Sequence, residues 1–236
     1  MKRFIVLIVL FSLLTIGGHA SAERLEVNFA VTPTMLQDTG YEAFSQDDLN
    51  AFRAGMDLRS EIVSFGGFKL IPVVGYRFAT DTGSPYNIVN TELFCHDFAA
   101  GLRLRKGILS WLSVFVEAKG GLFLAKMDAS QTEDYTVHYS DLGSRKGYKD
   151  TQYTWLAEGI AGVELQISKS WLRSRGVHKF GFGGEFGAGY IRRGDISFKP
   201  EIEGGIDNAI KAETRPWGEV NLSGWLIQVG VAFKFF

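Results

Sequence analysis

The chain has 236 residues, room for one sandwich- or barrel-sized domain. Its formal net charge of −1 leaves no electrostatic footprint for a nucleic-acid partner. Its single cysteine, Cys95, excludes an intramolecular disulfide, a paired-thiol redox centre and a cysteine-built metal site.

The first element is a targeting segment. Met1-Lys2-Arg3 is basic, Phe4 to Ile16 is apolar, and Ala20-Ser21-Ala22 closes the stretch. This order predicts a secretory signal peptide over 1–22, cut after Ala22. The apolar run falls short of the roughly 20 residues that a membrane-spanning helix needs. No cysteine follows the cut, so a lipid anchor is not expected. Residues 23–236 are then one domain.

That domain divides into eight stripes of period two, the signature of strands with two unlike faces. Leu25, Val27, Phe29 and Val31 open the series, and Phe52, Ala54, Met56, Leu58 and Ile62 follow. Phe68 to Phe78, Phe94 to Leu104, Leu112 to Leu124, Trp155 to Ile167 and Phe180 to Tyr190 continue it. Trp225, Ile227, Val229, Val231, Phe233 and Phe235 complete it. Pro72 lies within the third stripe, where the lost ladder donor predicts a local break or bulge.

The connections alternate in length. Gly66-Gly67, Lys106-Gly107 and 168–177 are short or moderate, whereas 35–50, 79–92, 125–153 and 192–220 are long and polar. Short turns at one rim and long loops at the other fit a membrane barrel. A soluble barrel, the runner-up, would place its apolar stripe inside. Aromatic residues gather at both ends of the stripes: Phe78, Trp155, Tyr190 and Trp225 at one, Phe233 and Phe235 at the other. Two such belts suit the two interfaces of a bilayer. The fold expected is an eight-stranded antiparallel up-and-down transmembrane β-barrel with four long extracellular loops.

The opposite face carries the charges. Asp57, Arg59, Arg77, Asp97, Glu117, Lys119, Glu158 and Glu185 share the inward parity, as do Glu26, Arg53, Arg103, Arg105, Glu164 and Lys234. An eight-stranded interior is just wide enough for side chains to fill, so these groups are expected to form a salt-bridge network. Two hairpin registers predict Asp57 opposite Arg77 and Asp97 opposite Lys119. Nucleophile chemistry has one candidate, His138-Tyr139-Ser140 in the third long connection, with Glu158 as a third member. It looks like the His-x-Ser of outer-membrane lipid A deacylases. The bland reading of those residues, an exposed polar loop, is preferred. No phosphate loop, zinc motif or calcium-loop spacing is present, and no metal or cofactor is expected.

The final stripe ends in phenylalanine, as bacterial outer-membrane barrels do. With no residues beyond it, a C-terminal peptidoglycan-binding domain is not expected. The chain resembles the small bare barrels of the OmpX, OmpW and opacity-protein type. That resemblance implies residence in the bacterial outer membrane, contact with its lipid and lipopolysaccharide, and assembly through the C-terminal strand. It also implies a monomeric, non-enzymatic surface role. A narrow conduit for a small or apolar solute is the alternative, and lipid A deacylation the second.

Overall fold

The stripes become strands because side chains of alternating character can satisfy two environments only from an extended, laterally bonded backbone. A computed structural model describes residues 25–36, 50–83, 89–131, 147–167, 169–176, 179–198, 201–202 and 219–235. The elements are β1 (Leu25–Leu36), β2 (Asn50–Ser60), β3 (Val63–Phe65), β4 (Phe68–Gly83), β5 (Val89–Gly107), β6 (Leu112–Gln131) and β7 (Gly147–Gln166). They continue with α1 (Lys169–Ser174), β8 (Phe180–Arg193), β9 (Ile196–Ser197), β10 (Glu201–Ile202), β11 (Glu219–Val220) and β12 (Gly224–Phe235). The signal-peptide segment and the His138-Tyr139-Ser140 motif lie outside the described residues.

Eight long strands pair antiparallel in the cycle β1-β2-β4-β5-β6-β7-β8-β12, and β12 returns to β1. Leu25 faces Phe235 and Glu26 faces Lys234 at the closing seam. The expected closed eight-stranded meander is what forms. Its burial is inverted relative to a soluble protein. Val116 is 60% exposed and Leu122 62%, whereas Asp57, Arg103 and Glu164 are 0% exposed. Apolar outside and charged inside is the solvation pattern of a wall facing lipid, so this is a transmembrane barrel.

The inner turns set the register. Gly66 and Gly67 have φ of 53° and 81°, a conformation that only glycine adopts freely, and they make a two-residue turn with Phe65 facing Phe68. The strain expected at Pro72 is resolved on the neighbouring chain. β4 runs through Pro72 unbroken and keeps Pro72 opposite Leu102 on β5. On the other side, Arg59 faces Val73 but Val63 faces Leu70, so one extra residue bulges between β2 and β3. Proline lacks the donor that this side of the ladder would use.

The outer end departs from the expected loops. β6 and β7 each have 20 residues against 12 in β1 and β12. With inner ends aligned through Phe68↔Lys106 and Leu112↔Leu165, the excess rises beyond the outer rim. Much of 79–92 and 125–153 is therefore strand. The last connection also carries structure: β9 pairs with β11, and β10 pairs with β7 at Tyr148 and Lys149. Between β2 and β4 the ladder stops at Ala54↔Phe78, although β2 extends to Asn50 and β4 to Gly83. The wall is split there at its outer edge.

Candidate functional site

Inward parity brings charges from all eight long strands to one axis, and they stack in layers. Nearest the inner rim, Arg105 Nη1 donates to Glu26 Oε2 at 3.0 Å and to Glu164 Oε2 at 2.9 Å. Lys234 pairs with Glu164 and lies 3.5 Å from Glu26. In the next layer Arg59 and Arg103 converge on Glu185 Oε1, each at 2.5 Å. Arg103 Nε also donates to Glu117 Oε2 at 2.7 Å, and its guanidinium lies 3.8 Å from the Phe115 ring centroid.

Above this, Arg77 grips Asp57 with two bonds of 2.8 and 2.9 Å and reaches Gln228 at 3.0 Å. Lys119 bridges Glu117 and Glu158, at 2.8 Å each. The outermost layer joins Arg53 to Asp97 at 2.7 Å and to Glu158 at 3.1 Å. Arg193 Nη2 donates to the same Asp97 at 2.8 Å. Every one of these side chains is buried. An ion left alone in such a place costs several kcal/mol, which explains why each carboxylate meets two or more cations.

Two expected pairings require correction. Asp57 and Arg77 do pair, but they are not directly opposite: Asp57 faces Gly75 and Arg77 faces Gly55. The tight turn moves the register by one residue and the bulge by another, so parity survives and the contact becomes diagonal. Asp97 does not meet Lys119. It faces Phe123, and Lys119 faces Gly101. The second inner turn sits two residues later than the spacing suggested, with Gly107 opposite Ser113.

Glu26, Glu164 and Glu185 bring carboxylate oxygens within 4.8 Å of one another. Guanidinium and ammonium groups already occupy the positions that a metal cation would take. Glu158, the candidate third member of a hydrolytic site, spends its carboxylate on Arg53 and Lys119 inside the barrel. At the inner end the lumen opens into a cavity of about 220 Å3, bordered by Glu61, Lys69, Arg105, Ser113 and Gln166.

The outer end is closed by apolar side chains. Ile196, Phe198, Val220 and Leu222 fold from the last connection onto Leu36, Leu93, Phe123, Met127 and Leu156 of the wall. Arg193 pins this cap. It donates to the Leu222 carbonyl and to Asp97, and its backbone N–H donates to Ser223 Oγ at 2.8 Å. Arg193 and the cap escaped the sequence reading, although Arg193 shares the inward parity of Glu185.

The belts lie outside. Tyr190 and Trp225 pack edge to face at 5.3 Å, Phe182 and Phe233 at 5.4 Å, and Phe180 and Phe235 at 5.5 Å. Phe78 and Trp155 are exposed on the same outer surface.

No family model and no curated protein matches the chain. Solved barrels do. Ail, the attachment invasion locus protein of Yersinia pestis, is 11% identical over 90% of this chain and 97% of its own, with a TM-score of 0.42. The outer membrane protein OprG from Pseudomonas aeruginosa is 12% identical over 93% and 99%, with a TM-score of 0.44. The outer membrane protease OmpT from Escherichia coli is 6% identical over 93% and 99%, with a TM-score of 0.46. The barrel's own anatomy, apolar outside and charged inside between two aromatic belts, carries the assignment.

Proposed function

We propose that this bacterial outer-membrane barrel is non-enzymatic, is closed along its axis, and supports the envelope or surface interaction through its outer loops. The observation that carries the reading is the lumen, where four stacked ion-pair layers are overlain by an apolar cap. A lumen of this strand number has no width to spare once such side chains fill it. Outer-membrane lipid and lipopolysaccharide are its solvent, the assembly machinery reads β12, and the barrel works as a monomer. Purified protein in planar bilayers should give no sustained unitary current. Stable channel openings in the wild type would overturn the reading. Lipid A mass spectra should be the same with and without the protein. A mass shift that Ser140→Ala abolishes would establish an esterase instead.

The split between β2 and β4 favours a second reading, lateral entry of an apolar solute. A small pocket of about 20 Å3 lies beside it, bordered by Leu36, Ala79, Leu93 and Leu222. Under this reading Leu93→Trp, which fills the pocket, lowers uptake of an apolar dye into proteoliposomes. Uptake equal to that of empty liposomes removes it.

A further inference from the structure

The bilayer-facing positions of all eight long strands carry no Asp, Glu, Lys or Arg between Lys106 at the inner rim and the outer aromatic belt. At that belt two cations stand on the lipid side. Arg192, at the end of β8, is exposed and has its guanidinium 5.9 Å from the Trp155 ring centroid. The Tyr190–Trp225 pair lies next to it on the same surface. Lys126 on β6 is 45% exposed in its side chain, with its ammonium 5.5 Å from the Phe94 centroid and 2.9 Å from Asp128. Among the described residues no carboxylate pairs with Arg192.

The depth is informative. Aromatic belts mark the level where acyl chains give way to headgroups, and a cation deeper than that level is expensive. A guanidinium resting on an indole face keeps its N–H edge free for acceptors, and its planar fork fits two phosphate oxygens at once. Asp128 moderates Lys126, so Arg192 is the stronger centre.

We propose that Arg192, backed by Trp155 and assisted by Lys126, forms a contact surface for the phosphate groups of lipid A in the outer leaflet. This rests on the outer-membrane reading and names the residues that meet the lipid. The inner-rim cation Lys106, which lies 4.8 Å from the Phe68 ring centroid, faces the other leaflet and serves as the control.

The test uses the full-length folded barrel in detergent micelles. Lipid A carrying both phosphates, and the same lipid after their enzymatic removal, are titrated and the bound fraction is read by native mass spectrometry. The phosphorylated lipid binds more tightly. Arg192→Gln weakens it about fivefold, the share of one interfacial cation, and the double variant Arg192→Gln, Lys126→Gln weakens it further. Lys106→Gln leaves it unchanged. Equal binding of both lipids to the wild type, or unaltered affinity in Arg192→Gln, overturns the proposal. Displacement of lipid A by millimolar inorganic phosphate would reassign the surface to free anions. Heat-modifiable gel migration is measured alongside. A wild type that lacks it removes the barrel reading itself, whereas a folded barrel indifferent to the phosphates removes only this inference.

Discussion

Asp57 faces Gly75 across its ladder and Arg77 faces Gly55, yet their side chains meet at 2.8 Å. Glycine makes the diagonal contact possible, because a methyl group at Gly75 would sit 2.3 Å from Asp57 Oδ1. Lys119 opposite Gly101 and Glu185 opposite Gly230 repeat the arrangement. Inward parity of each charge was legible in the sequence, since alternation alone decides it. The partners were not, because one tight turn and one bulge shift the register by amounts that alternation does not record. Asp57→Ala should destabilise the barrel by about 3–5 kcal/mol by stranding Arg77. The double variant with Arg77→Ala should cost less than the sum of the singles in urea unfolding. Additive losses would show that the pair is not coupled. Gly75→Ala should destabilise the barrel through overpacking, by roughly 1–3 kcal/mol, and so lower its urea midpoint.

Among the elements, the strands and the cap obey different rules. Val116 on β6 faces Ala161 on β7, both on the lipid side. Val116→Arg should cost roughly 2–4 kcal/mol near mid-bilayer, and Trp155→Arg less, since it lies at the interface. Equal folding yields in lipid vesicles for Val116→Arg and wild type would contradict the assigned strand phase. The cap is a small core outside the bilayer and depends on Ile196, Phe198, Val220 and Leu222. Val220→Asp should loosen it while the barrel stays folded. Protease added to intact cells should then cut the last connection faster, with heat-modifiable migration retained. Two apolar pairs of period two, at 196 and 198 and at 220 and 222, were the available signal. They are too short to stand out against a polar connection, and two of their partners, Leu36 and Met127, lie in segments expected to be loops.

At the scale of the molecule, many of the buried polar contacts join parts of the chain that are remote in sequence. Arg59 and Glu185 are 126 positions apart, and Arg77 and Gln228 are 151 apart. No single hairpin can make these two contacts, which form only once remote strands have met, whereas Asp57–Arg77 and Arg103–Glu117 lie within single hairpins. A partly formed sheet must keep that face in water, and only closure of β12 on β1 lets the charges leave water together. Lys234, on the closing strand, touches both Glu26 and Glu164. Lys234→Ala should therefore slow the last kinetic phase of refolding into vesicles while leaving earlier strand formation, read by circular dichroism, unchanged. The same network makes timing a property of the chain. A polypeptide halted before its final strand lacks Lys234 and Gln228 and leaves the backbone edges of β1 and β8 unpaired, a state that hydrocarbon does not tolerate, so insertion is gated by completion of the chain.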